Sequence, residues 1–309
     1  MFPLGAKRAA ALAGVLGLTL LAAPAALAQP RSRMLSADNL VQLSPHTWII
    51  KGFPNIGFVV GSKATLVVDT GLGTPNGEVV ARVAQKLSTR GQKLYLTTTH
   101  YHAEHAAGEG GFPLGTVVIR PRVQQAELEA EGQKLVDLFM ARSEVDRKLL
   151  AGYQTGKPGI LFDDRYGLDL GGVKVALYWF GPAHTKGDEL IMIQPDRVLF
   201  SGDVVQNKAG PYFYCADCTP ISWLAVLDKI ATLKPDIIVP DHSDVGGRAL
   251  INQERAILAE VQKRALALKA EGKSVGEAAK ILTTGLQAEY PGWSGFNHLD
   301  LAARQVYAE

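Results

Sequence analysis

The sequence predicts an α/β fold: one domain in which two β-sheets carry helices on their outer faces. Three observations lead there. Short β-rich runs punctuated by Gly, Pro and Asn recur in both halves of the chain, amphipathic helical stretches alternate with them, and no Pro/Ser-rich seam separates the halves. The 309 residues are 47% hydrophobic and 20% charged, which supplies apolar material for a large core and carries no mark of disorder.

Taken in order, Lys7 and Arg8 precede an apolar stretch from Ala9 to Ala26 that closes on Ala26-Leu27-Ala28. A basic start, an apolar centre and a small-x-small end are the features of a secretory leader. The run is short, Ala-rich and broken by Pro24, so cleavage after Ala28 is expected rather than a retained anchor. Residues 1–28 are therefore read as leader and 29–309 as the mature domain, with a periplasmic or secreted location. Trp48 to Lys51, Gly57 to Val60 and Thr65 to Asp69 read as strands of a meander. Glu78 to Thr89 places Val79, Val80, Val83, Ala84 and Leu87 at helical spacing, and Leu94 to Thr98 follows as a strand. Val117 to Ile119 is a further strand, and Ala126 to Leu150 is mostly helical. Val173 to Phe180, Glu189 to Gln194, Val198 to Ser201 and Ile237 to Pro240 are strands, with a helix over Ile221 to Leu233 before the last. Asn252 to Glu271 and Val275 to Leu286 make a helical C-terminal segment, 250–309.

The net charge of +2 arises from 32 basic and 30 acidic residues dispersed along the chain, with no basic stripe for nucleic acid and no polybasic membrane patch. The expected partner is a small molecule. The two cysteines, Cys215 and Cys218, stand in a Pro-flanked aromatic loop rather than at the head of a helix, and in an oxidising compartment the pair reads as a small structural disulfide.

Of seven histidines, three fall within six residues, in Thr99-His100-Tyr101-His102-Ala103-Glu104-His105. That density is hard to explain as packing. His100 and His102, two apart after a strand, point the same way on an extended backbone, while Glu104 and His105 can turn toward a second ion. Similar strand-end settings hold His184 after Gly181-Pro182-Ala183, Asp203 after Ser201-Gly202, and His242 after Pro240-Asp241. Four strand ends thus converge on one edge, where binding and catalytic residues are usually carried.

On these residues the chain resembles the metallo-β-lactamase superfamily. Its His-x-His-x-Asp-His pattern, followed by a distant His, an Asp and a final His, is matched by His100, His102, Glu104, His105, His184, Asp203 and His242. The resemblance runs from Leu66-Val67-Val68-Asp69-Thr70-Gly71 to Gly246-Gly247 and implies a four-layer αβ/βα sandwich of two mixed sheets. It implies that His100, His102 and His184 bind a first metal, that Glu104, His105 and His242 bind a second, that Asp203 bridges them and that Asp69 orients ligands. Glu104 stands where the family's usual Asp stands. Its extra methylene lengthens the reach by about 1.5 Å, which puts second-site affinity in question.

The implied activity is hydrolysis of a C–N or C–O bond (amide, β-lactam, lactone or ester) by metal-bound hydroxide, with Glu104 and Asp203 as the catalytic carboxylates. One or two Zn²⁺ ions are expected, since Zn²⁺ lowers the pKa of its bound water to roughly 7. Iron or manganese also suits a set of N and O ligands without thiolate. The alternatives are a metal-binding protein without turnover and an iron-dependent oxidoreductase. Specificity is assigned to the loop Gln206 to Thr219. There Lys208 can meet an anionic group, and Tyr212, Phe213 and Tyr214 either form an apolar wall or pack on the Cys pair. Tyr290, Trp293 and His298 read as closing the core, with a place in the pocket wall as the alternative.

Overall fold

The computed structural model describes Met1 and residues 33–154 and 156–308; the expected leader lies outside the described residues apart from Met1. In chain order the strands and helices begin with β1 (Leu40–Ser44), β2 (Thr47–Ile50), β3 (Ile56–Val60) and β4 (Ala64–Val68), then α1 (Thr74–Leu87) and β5 (Lys93–Thr97). They continue through α2 (Ala103–Ala106), β6 (Val117–Pro121), α3 (Arg122–Arg142), α4 (Glu144–Leu149), β7 (Ile160–Phe162), β8 (Arg165–Asp169), β9 (Lys174–Trp179) and β10 (Glu189–Gln194). The last elements are β11 (Val198–Gly202), α5 (Pro220–Leu233), β12 (Ile237–Pro240), α6 (Ala249–Ala270), α7 (Val275–Glu289) and α8 (Leu299–Ala308).

Seven strands form one sheet in the order β1 to β7, antiparallel as far as β4 and parallel from β4 onward. Five form the other in the order β12-β11-β10-β9-β8, where only β11 and β12 run parallel. Both sheets are mixed, as expected. The two-residue period of a strand divides the core into layers. In β4, Leu66 and Val68 join Ile191, Phe200 and Val239 between the sheets, whereas Val67 packs with Val80, Val83 and Ala84 of α1 outside. On the far face, α5, α6, α7 and α8 cover the second sheet through Trp223, Leu227, Leu258, Leu282 and Val306. The result is helix on sheet on sheet on helix. Between the sheets at Gly57 a side chain has no room: a Cβ there would lie 2.4 Å from the Phe200 ring.

Some elements went unread in the sequence. β1 is an edge strand with little buried surface and β7 has three residues, so neither presents a clean alternation. β8 and α8 were also missed, although α8 buries Leu299, Ala302, Ala303 and Val306 at helical spacing.

The topology collects the chemistry. β4, β5, β11 and β12 take part in the parallel pairings, and their C-terminal ends run into Asp69, into Thr98-Thr99-His100, into Asp203 and into Asp241-His242. Side chains just past such strand ends share one edge, the usual place for ligands in α/β sheets.

Candidate metal centre

The loop after β5 is fixed before any histidine enters. The Thr99 amide donates to Asp69 Oδ1 at 2.7 Å and the Thr99 hydroxyl donates to Asp241 Oδ2 at 2.8 Å. Asp69 adopts φ 67, a left-handed conformation that a non-glycine residue seldom takes and that turns its carboxylate back into the site. His102 is extended (φ −62, ψ 150) and precedes the four-residue α2, which carries Glu104 and His105. The switch from extended to helical backbone sends the two pairs of side chains in different directions.

Two sets of donors form. Ligand atoms of His100, His102 and His184 lie within 4.8 Å of one another, and so do those of Glu104, His105 and His242. Asp203 Oδ2 stands 3.4 Å from His184 Nε2 and 3.5 Å from His242 Nε2, between the sets. His105 Nε2 and His242 Nε2 are 3.2 Å apart, close to the edge of a tetrahedron with Zn–N bonds of about 2.0–2.1 Å. His100, His105 and Asp241 also cluster, but Asp241 Oδ2 already accepts from Thr99 and faces His105 Nδ1 at 3.3 Å, so it braces the ligands. Glu104, despite its extra methylene, reaches the second set.

The hydrogen bonds select tautomers. His184 Nδ1–H donates to the Tyr212 carbonyl at 2.5 Å and His105 Nδ1–H donates to Asp69 Oδ2 at 3.0 Å, which leaves each Nε2 as the inward atom. Burial, reinforced by neighbouring imidazoles, pushes His100 and His102 well below their ordinary value and His184 to about 3, so all three are neutral at pH 7, the form in which imidazole can bind a metal. For His105 burial opposes the charge, yet Asp69 and Asp241 raise it well above the ordinary range. Burial likewise raises Asp203, against the pull of His105 and with the help of Asp241 and Glu104.

A metal ion answers the problem this packing poses. The buried Nε2 atoms of His100, His102 and His184 and Oε2 of Glu104 have no hydrogen-bond partner among the described residues. Each such atom costs roughly 1–3 kcal/mol if left unmet. Bare imidazole and carboxylate donors converging at these separations fit Zn²⁺ or another first-row divalent ion.

A cavity of about 490 Å³ opens above the donors. Tyr212 and Tyr214 line it, with rings 4.3 Å apart, and Tyr214 lies 4.1 Å from His102. Phe213, between them on extended chain, faces the other way: it is buried against Trp223 and lies off the cavity. Lys208 is also off the cavity, exposed at φ 57, where its carbonyl accepts from the Ser294 amide. The substrate role read for Lys208 is corrected here, Phe213 follows the alternative of packing with the Cys pair and not the wall, and His298 follows its alternative in the cavity wall. Tyr290 and Trp293 pack against the core. Cys215 and Cys218 are joined by a disulfide, and the Tyr214 amide just before it donates to the His184 carbonyl at 2.8 Å.

The sequence reading missed Phe53, Phe139, Arg142, Trp223 and Glu254, all of which line the cavity, and took Gln206 only as the start of the specificity loop. Gln206, three residues past Asp203, had the nearest thing to a local signal. Its Nε2 donates to Asp203 Oδ1 at 2.6 Å, its Oε1 accepts from the Ser243 hydroxyl at 2.7 Å, and its amide donates to Glu254 Oε2 at 3.1 Å. It ties Asp203 to the chain beside His242. Gln206→Ala should lower metal affinity or turnover about 10- to 100-fold, as loss of ligand-orienting partners does. Metal titration together with kcat checks this, and unchanged values for both would refute it.

Glu254 carries a pH signature. Burial raises it from 4.5 to about 8, only partly offset by the Gln206 amide. The folded state thus keeps a proton that the unfolded chain releases, and this group erodes stability as pH rises from 4.5 to about 8. Glu254→Gln retains an acceptor for Gln206 and should gain stability over the parent progressively across that window. Denaturant titrations at several pH values test this; a constant difference would contradict it.

A family model described as the metallo-beta-lactamase superfamily matches residues 49–242, more than half of the chain. The chain belongs to the metallo-β-lactamase superfamily. Among curated proteins it is 25% identical over 228 residues to a linear primary-alkylsulfatase from Pseudomonas sp., covering 62% of this chain and 42% of that one. It is 29% identical over 171 residues to the human acyl-coenzyme A thioesterase MBLAC2, covering 50% of this chain and 58% of the relative. The chain therefore spans about half the length of these relatives. Among solved structures it resembles a metallo-β-lactamase from Pontibacter korlensis, with TM-score 0.57 and 20% identity over 71% of this chain and 98% of that one. It also resembles the sec-alkylsulfatase Pisa1 from Pseudomonas sp., with TM-score 0.66 and 15% identity over 87% and 49%. These likenesses support the fold; the relatives named are hydrolases.

Proposed function

We propose that this superfamily member is a periplasmic or secreted zinc-dependent hydrolase that cleaves an amide, β-lactam, lactone or ester bond in a small molecule. The observation that carries the reading is the placing of two donor sets, with Asp203 between them, at the floor of an aromatic cavity. His100, His102 and His184 would hold one ion and Glu104, His105 and His242 another, with Asp203 reaching both. An ion bound there supplies hydroxide near neutral pH and polarises the attacked oxygen.

The chain's own residues do the rest. Gln206 holds Asp203 Oδ1, so Oδ2 faces the site as the acceptor for the attacking water. In hydrolysis the water's oxygen adds to the carbonyl carbon as its proton passes to Asp203 Oδ2, the acyl–N or acyl–O bond breaks, and that proton passes to the leaving group. Tyr212, Tyr214 and Trp223 supply an apolar body to the cavity and limit water around the reacting bond. No described helix is long and apolar enough to cross a membrane.

The test is a substrate panel on protein lacking residues 1–28 and loaded with zinc. It includes a chromogenic cephalosporin, an acyl lactone, an aryl ester and, because of the relatives' names, a primary alkyl sulfate and an acyl-CoA. Chelator-sensitive turnover of the cephalosporin, lactone or ester supports the proposal and identifies the bond. Turnover confined to the sulfate or acyl-CoA would overturn the assigned bond, and no turnover in zinc-loaded protein would overturn the enzyme reading.

A further inference from the structure

The cavity wall carries a cation that the metal chemistry does not use. Arg142 closes α3, and its guanidinium carbon lies 3.8 Å from the centroid of Phe139, a ring that is itself buried one turn earlier. Stacking on a fixed ring restrains a side chain that would otherwise range freely. The acidic groups nearest in sequence are engaged elsewhere: Asp137 accepts from Gln133, Glu144 pairs with Lys148 and Asp146 pairs with Arg33. Among the described residues no carboxylate pairs with Arg142, although it lines the cavity.

Its surroundings suit an anion. Asn297 and His298 line the same cavity, with Asn297 Nδ2 3.0 Å from His298 Nε2 and the His298 ring stacked on Tyr212 at 4.1 Å. Burial lowers the basicity of His298, with Asp300 raising it and the Arg142 guanidinium lowering it in turn. Arg142 is an exposed residue at the rim of the same cavity that the donors floor. The carboxylates of the cavity do not compete: Glu104 and Asp203 belong to the donor sets and Glu254 accepts from Gln206.

We propose that the substrate is an amphiphilic anion, whose carboxylate is held by Arg142 while its apolar body lies along the tyrosines and its scissile carbonyl reaches the metal donors. This deepens and rests on the hydrolase reading above. Guanidinium meets carboxylate through two parallel N–H···O bonds, so the contact fixes orientation as well as charge. Lysine supplies the charge without the fork.

The experiment compares two aryl esters of equal chain length, mono-p-nitrophenyl glutarate (charged) and p-nitrophenyl valerate (neutral), on the zinc-loaded parent, Arg142→Ala and Arg142→Lys. The parent should favour the charged ester. Arg142→Ala should raise KM for it about 10- to 100-fold, the range for hydrogen bonds to a charged group. Its kcat, its metal content and the neutral ester should stay within about two-fold, and Arg142→Lys should recover part of the loss. Equal effects on both esters, or no preference in the parent, would overturn the proposal. If the parent hydrolyses neither ester, calorimetric binding of 4-phenylbutyrate against 4-phenylbutanamide decides separately: loss of the anion's affinity in Arg142→Ala supports the subsite, and affinity independent of Arg142 removes it.

Discussion

Replacing His184 by alanine should reduce hydrolysis by at least about 100-fold and lower the bound metal per chain. Removing a residue that merely orients a ligand costs 10–100-fold, and His184 is itself at the centre. Its Nε2 is inward, neutral at pH 7 and adjacent to Asp203 Oδ2, while its Nδ1–H is held by the Tyr212 carbonyl. Alanine removes the donor and also releases the loop that carries Tyr212 and Tyr214. The effect should fall on kcat, because the residue touches the reacting centre and not the substrate's far end. Steady-state kinetics with elemental analysis of the purified variant read it directly; a variant retaining full activity and full metal would remove His184 from the centre.

The largest loss of stability is expected at Trp223. It is 1% exposed, its indole N–H donates to the Val204 carbonyl at 2.9 Å, and its ring packs edge-on to Phe213 at 5.1 Å. It also lies 6.3 Å from the His184 ring, so one side chain serves both the core under α5 and the cavity wall. Trp223→Ala opens a cavity and leaves the Val204 carbonyl unmet, at a cost of about 3–5 kcal/mol. Chemical denaturation of the metal-loaded protein should show this; a change below about 1 kcal/mol would mean that the tryptophan is not packed as described.

The convergence of these donor residues was readable because its signals are local. Three histidines in six residues after a β-run, and His, Asp and His after three other β-runs, announce strand-end ligands before any tertiary contact is known. The left-handed turn at Asp69 and the extended-to-helical switch at His102 were not readable, since both depend on contacts with Thr99 and the packing of α2. The cavity wall was read only in part. Tyr212 and Tyr214 carried the aromatic signal, but Phe213 between them alternates into the core, and a charged residue in the right loop, Lys208, faces solvent. Arg142 ends a helix 38 residues after Glu104 and 42 before His184, the nearest cavity-lining residues outside that helix, and no spacing rule connects it to His298. Edge strands such as β1 and β7 escaped for a related reason: they bury too little to impose alternation.

The central claim is that the converging donors hold metal. Elemental analysis of protein purified without its first 28 residues, paired with hydrolysis before and after chelation, tests it most directly. The account predicts one or two zinc ions per chain, activity lost on chelation and recovered on adding zinc back. Protein that carries no metal, takes up none when it is supplied and hydrolyses regardless would contradict it.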